Sequence, residues 1–128
     1  MTILIEPWLA AYLDGVYTRR GNAADVPRRQ VHYRDGSEPE RACCHANVDR
    51  WVAERPDCQA VRGWMISARM SDAVMLEAHS VVREADGTLV DITLSLTDQR
   101  APFISHVGTE QEFEAARKVV NQVTWPLG

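Results

Sequence analysis

Apolar positions along this chain recur with two periods, helical before Pro56 and again near the C-terminus, alternating in between. Trp8, Ala11 and Tyr12 keep the i, i+3, i+4 spacing of one helix face. They lie in Pro7–Gly15, where Pro7 suits the first helical position and Gly15 a C-terminal stop. Polar residues from Thr18 to Pro27 predict a loop, and Gln30–Arg34 a short strand ended by the Asp35-Gly36 turn. The loop continues through Glu40. A central helix then starts near Ala42 or Cys43 and runs to about Glu54. Cys44, Val48, Trp51 and Val52 share its apolar face, Asp49, Arg50 and Glu54 point outward, and Pro56 ends it.

Beyond Pro56 the period shortens. Val61–Ala68 predicts a strand, with Gly63 at a bulge. Val74–Arg83 is compatible with helix in its first half, but its β-branched end and the turn after it favour strand. Thr88–Leu94 is the clearest strand, Asp98–Pro102 a loop, and Phe103–Ser105 a last short strand. Thr109 to Glu112 form a capping box that opens a C-terminal helix, with Phe113, Ala116, Val120 and Val123 on its apolar face. The expected fold is α+β over one domain, residues 1–128: an antiparallel β-sheet packed on a central helix, with N- and C-terminal helices.

Composition narrows the function. The chain has 128 residues, 45% hydrophobic and 25% charged, ordinary values for a globular protein that needs no metal or disulfide staple. A net charge of -4 argues against a nucleic-acid partner. Arg19-Arg20 and Arg28-Arg29 are short clusters that read as solvated loop. Three cysteines, two of them adjacent, make no disulfide framework and predict a reducing compartment. The N-terminus lacks a basic region followed by a long apolar one, and no stretch has the length of a membrane span. A cytoplasmic protein without membrane or cofactor is the expectation.

The candidate chemistry centres on Cys44, in the first turn of the central helix. Free backbone N–H groups and the helix dipole there favour a thiolate, and the same groups suit an oxyanion. Such a nucleophile needs a base and a group to orient it, and His79 and Asp91 stand on the two strands of the next hairpin. With a two-residue Asp86-Gly87 turn those side chains fall on opposite sheet faces. With a three-residue Ala85-Asp86-Gly87 loop, Gly87 taking the left-handed position, Val81 opposes Asp91 and His79 opposes Thr93. His79 and Asp91 then become diagonal neighbours on one face, about 7–8 Å apart at the backbone. Ala78, Ser80, Val82, Val90, Ile92 and Leu94 line the other face, a plausible core.

The segment Glu77-Ala78-His79-Ser80-Val81-Val82, followed by Gly87-Thr88-Leu89-Val90-Asp91-Ile92-Thr93, resembles the transglutaminase-core pattern of His, a turn with Gly, then Asp-x-Thr. Cys44-His45-x-Asn47, with Gly63-Trp64 after it, is similar to motifs of uncharacterised bacterial and phage proteins. The order Cys, His, Asp is that of the papain-like and transglutaminase-like cysteine superfamily. The resemblance covers roughly Cys43 to Thr93. It implies Cys44 as nucleophile, His79 as base and Asp91 as its orienter, acting on a protein, a peptide, or a small amide or ester. Two departures stand out. His45 replaces the usual aromatic residue after the cysteine, and Gln30 and Gln59, the nearby glutamines, sit in no motif for an oxyanion hole.

Other uses of these residues compete. Cys44 on an apolar face also suits a buried small hydrophobe, and His79 a structural histidine. Cys43 reads as structural or exposed, and Asn47 as a helix-surface or local hydrogen-bonding residue. His45 and Trp64 are candidate substrate-binding residues, although Trp51 and Trp64 both suit the core. Zinc ligation by Cys43, Cys44, His45, Cys58 and His79 is disfavoured by spacing, since adjacent cysteines rarely share one ion. A non-catalytic binding module or inhibitor with the same fold is the alternative to a thiol enzyme. Substrate, acyl acceptor and oligomeric state stay open.

Overall fold

A computed structural model describes residues 5–93 and 101–127. Among these residues the chain is α+β, with three α-helices, α1 (Pro7–Thr18), α2 (Cys44–Glu54) and α3 (Glu110–Val119). Six strands, β1 (Ala24–Asp25), β2 (Gln59–Arg69), β3 (Val74–Arg83), β4 (Leu89–Val90), β5 (Pro102–Ser105) and β6 (Gln122–Trp125), form one open antiparallel sheet. Its order is β1-β5-β2-β3-β4, and β6 also pairs with β3. No described helix is long and apolar enough to cross a membrane.

The long β2–β3 hairpin, with Gln59 opposite Arg83 and Arg69 opposite Val74, is the backbone of the sheet. The far edge of β3 is divided. β4 covers Val82 and Arg83, β6 covers Val74–Glu77, and residues 78–81 lie between them. Side chains of alternate residues sort by face. Trp64, Ile66, Leu76 and Ala78 pack with Leu9, Leu13 and Val16 of α1 and with Phe113 and Ala116 of α3. Val82, Val90 and Ile92 pack with Val48 of α2. The opposite face carries a smaller cluster of Val81, Phe103 and Val26.

Several elements differ from their sequence-based expectations. Helix α1 runs through Gly15 to Thr18, and its buried stripe is Leu9, Leu13 and Val16, while Trp8 stays half exposed. Burying Val16 stabilises by about 1.5–3 kcal/mol, which outweighs the roughly 1 kcal/mol cost of glycine inside a helix. The expected loop after Thr18 contains a 3-10 turn, Arg19–Asn22, and strand β1. Gln30–Arg34 forms no strand; its Tyr33 N–H closes a turn on Ser37 O at 2.8 Å. Strand β4 is shorter than expected because Asp91 turns its peptide groups to another segment. Asp91 N–H donates to Pro27 O and Arg29 N–H donates to Asp91 O, both at 2.9 Å. Leu94 and residues 98–100 of the expected loop lie outside the described residues. Helix α3 opens with the expected capping box on Thr109 and Glu112 but stops at Val119. Val123, expected on its face, instead pairs with Leu76 in β6, where the edge of β3 offers ladder hydrogen bonds.

Gly63 marks a close approach and not a bulge; the irregularity in β2 falls between Ile66 and Ala68. A Cβ at position 63 would lie 2.2 Å from Ile104 O and 2.6 Å from the Phe103 ring. Trp64, a candidate substrate residue, is fully buried. Its indole N–H donates to the Tyr12 hydroxyl at 2.9 Å and its ring meets Phe113 edge-on. It is a core residue with no surface left for a ligand.

Candidate active site

The geometry of the Ala85-Asp86-Gly87 loop brings His79 and Asp91 together. Glu84 N–H donates to Thr88 O at 2.8 Å, and inside that pair Gly87 N–H returns to Glu84 O at 2.8 Å. Gly87 has φ +90°, a conformation that L side chains rarely adopt. The loop thus has three residues. The pairs Val82–Val90 and Arg83–Leu89 continue the register that opposes Val81 to Asp91 and His79 to Thr93. His79 Nε2 donates to Asp91 Oδ2 at 2.7 Å, and both side chains are buried. The other carboxylate oxygen accepts the Thr93 N–H at 3.0 Å, which fixes the plane of the acid.

Cys44 is the first residue of α2. The chain reaches it through Ala42, whose φ of 60° is left-handed. For a residue with a Cβ that conformation costs about 1 kcal/mol. Cys43 at the N-cap makes no side-chain cap, so no side chain claims the first-turn N–H groups and the positive end of the helix faces the sulfur. The His79 and His45 imidazoles are the neighbours that act on the Cys44 sulfur, both favouring its charged form. With His79 Nε2 held by Asp91, its Nδ1 is the nitrogen left for the sulfur. The first turn of α2 comes in beside β3 where, among the described residues, no strand covers positions 78–81.

The electrostatics follow from these contacts. Burial pushes the Cys44 thiol up, but hydrogen bonds from His45 and His79, and their charges, outweigh it and bring its pKa down to about 6. Burial alone lowers His79, while the Asp91 hydrogen bond, then Cys44, raise it to about 9. Between those values the pair is a thiolate and an imidazolium. Its linkage to folding cancels over the neutral range. Unfolded, the thiol titrates at its ordinary 9.0 and the imidazole at 6.5. From pH 6.5 to 9 each state therefore holds one proton on the pair, the native state on His79 and the unfolded state on Cys44. Equal proton counts leave stability flat. In Cys44→Ser the raised His79 stands alone, with a contribution fully present below pH 6.5 and lost as pH rises toward its folded value. Urea denaturation from pH 6.5 upward should show the variant falling relative to wild type by about 1.4 kcal/mol per pH unit, over a window that ends below pH 9 because Asp91 alone then raises His79. Parallel profiles would refute the ion pair.

Two groups of polar residues around Cys44, His79 and Asp91 go beyond the sequence-based expectations. Asn47, expected as a helix-surface or local hydrogen-bonding residue, is buried and bonds across the fold as well as locally. Its Nδ2 donates to Glu40 O at 2.6 Å and to Thr93 Oγ1 at 3.0 Å, and its Oδ1 accepts Glu40 N–H at 3.1 Å. Tyr33 O–H donates to Asn47 O at 3.2 Å. One amide thus ties the loop before Cys44 to the strand end that carries Asp91. The second group is Ser80 and Arg62: His45 Nδ1 lies 2.5 Å from Ser80 Oγ, which accepts from Arg62 at 3.0 Å. The available signal was spacing, Asn47 one helical turn after Cys44 and Thr93 two residues after Asp91.

Among the described residues no group of three or more His, Cys, Asp or Glu side chains is arranged to hold a metal ion. No family model, curated protein or solved structure matches this chain.

Proposed function

We propose that this protein is a thiol acyl-transfer enzyme of the papain-like and transglutaminase-like kind, acting on an amide or ester carbonyl, with α2 as the helix that bears the nucleophile. The observation that carries this reading is the buried 2.7 Å His79–Asp91 pair set against a cysteine at an uncapped helix N-terminus. The Cys44 thiolate attacks the carbonyl carbon, the C–S bond forms, and the carbonyl π pair moves onto oxygen. First-turn N–H groups of α2 suit that oxyanion. His79 gives its proton to the leaving amine or alkoxide as the C–N or C–O bond breaks, leaving a thioester on Cys44. A water or amine then loses a proton to His79, attacks the thioester, and releases the thiolate. Asp91 holds the imidazole throughout. The loop before Cys44, pinned at Glu40 by Asn47, borders the cleft.

A small activated ester tests the reading directly. Incubation with p-nitrophenyl acetate should yield an early burst of nitrophenol and one acetyl group mapped by mass spectrometry to Cys44, absent in Cys44→Ser. Acetyl groups shared evenly by Cys43, Cys44 and Cys58, with no burst, would count against it.

A further inference from the structure

We propose that His45 is a second catalytic imidazole, a fixed hydrogen-bond donor to the Cys44 sulfur and, during acyl transfer, to the carbonyl oxygen that gains charge. The inference rests on the thiol acyl-transfer reading and supplies the side-chain donor for which the glutamines offered no match. Hydrogen-bond inventory decides which ring nitrogen carries a proton toward the sulfur. Arg62 has donors only, so Ser80 Oγ must accept from it at 3.0 Å. The second lone pair and the proton of Ser80 are left for the other close neighbour, His45 Nδ1, at 2.5 Å, which suits a neutral ring accepting at Nδ1 or a charged ring donating there. In both states Nε2 carries a proton. Nε2 is also the nitrogen left for the sulfur, and a thiolate can only accept. The sulfur thus requires Nε2–H, and the Ser80 contact is compatible with it.

The supporting residues are held in turn. Ser80 is fully buried, and Arg62 is anchored by Glu110 at 2.8 Å and by Asp49. The His45 ring packs edge-on against Phe113, with centroids 5.7 Å apart. The two imidazoles therefore differ in kind. His79, paired with Asp91, carries and returns a proton. His45, backed by Ser80 and the Arg62 cation, keeps its proton and only redirects it. As the C–S bond forms and the carbonyl π pair moves onto oxygen, the Nε2–H of His45 follows the charge from sulfur to oxygen. No proton is transferred in that motion. Ser80 and Arg62 are positioning residues, since they act through the ring.

The test is the pH dependence of iodoacetamide alkylation mapped to Cys44, in wild type, His45→Ala, His45→Gln, Ser80→Ala and His79→Ala. The charged and titratable groups that bear on the sulfur and on this ring are His45, His79 with Asp91, Glu114 with Arg117, and Arg62 with Asp49 and Glu110. His45→Ala should move the Cys44 midpoint upward by about one pH unit, the worth of one hydrogen bond to a charged group. His45→Gln, which returns an amide donor near Nε2, should stay near wild type. Ser80→Ala should shift in the same direction as His45→Ala but less, because the ring loses the contact that holds it at Nδ1. A His45→Ala profile that superimposes on wild type overturns the proposal, as does a His45→Gln profile shifted as far as His45→Ala. If His79→Ala lifts the midpoint while His45→Ala does not, this inference falls and the Cys44–His79 reading stands. If wild-type Cys44 titrates like an ordinary thiol, both fall.

Discussion

Replacing His79 by Ala should collapse the acid-pH reactivity of Cys44, cutting its alkylation at pH 5.5 by more than about tenfold while changing the rate at pH 7.5 far less. The asymmetry comes from two opposed effects. Lowering the thiol to about pH 6 multiplies the thiolate fraction tenfold for each unit gained, at any pH below the midpoint. Intrinsic nucleophilicity falls with pKa at about 0.4–0.5 logarithm per unit, so nearly half the gain is returned. Near neutrality, where the wild-type thiolate is already saturated, the two effects almost cancel. Below the midpoint the fraction dominates. The chain carries its own controls. Cys43 is exposed with no histidine on its sulfur, and burial and then the charges of Asp57 and Glu84 push the Cys58 thiol up. At pH 5.5, label should accumulate on the buried Cys44 ahead of the exposed Cys43, an order that exposure alone reverses. Label that follows exposure, or a His79→Ala rate equal to wild type at pH 5.5, rejects the pairing.

Asp91→Ala should lower the unfolding free energy by about 3 kcal/mol or more, the usual cost of removing one partner from a buried, hydrogen-bonded pair. Three contacts go together. His79 Nε2 loses its acceptor at 2.7 Å, Thr93 N–H loses its acceptor at 3.0 Å, and the strand end that holds Thr93 against Asn47 loosens. Asp91→Asn keeps the volume and one acceptor, and should cost less stability. Both variants should shift the Cys44 midpoint upward, because His79 loses the group that keeps it charged. Urea denaturation at pH 7 measures the first effect, and a loss below about 0.5 kcal/mol for Asp91→Ala would contradict the buried-pair account.

The parts of this protein that were legible in the chain are those set by local chemistry. The Thr109 capping box and, to within two residues, the start of α2 follow from a few neighbouring residues, while the three-residue Ala85-Asp86-Gly87 loop stood beside a two-residue alternative. That loop was informative because the apolar alternation of Val82, Val90 and Ile92 demands one register and the His79–Asp91 contact demands the same one. What escaped depends on partners distant in sequence. Nothing near Asp91 shows that Pro27 and Arg29 claim its peptide groups and end β4. Nothing near Asn47 shows that Thr93 and Glu40 await it inside. Trp64 and Gly15 went astray for a related reason: a side chain with two uses is assigned only when its neighbours are known, and here Tyr12, Phe113 and the Val16 stripe decided.

Gly63 matters to the site through an atom it lacks. It stands directly opposite His79 across β2 and β3, and the space where its Cβ would be is filled by the Phe103 ring and the carbonyl of Ile104. The same Phe103 ring meets the His79 imidazole edge-on, with centroids 6.4 Å apart. The resting place of the imidazole is therefore set from behind by a hydrocarbon that only a vacancy admits. A methyl group at position 63 would touch neither the sulfur nor the carboxylate, yet it would press on the imidazole through that ring. The placement of the His79–Asp91 pair depends on an empty position as much as on its polar groups.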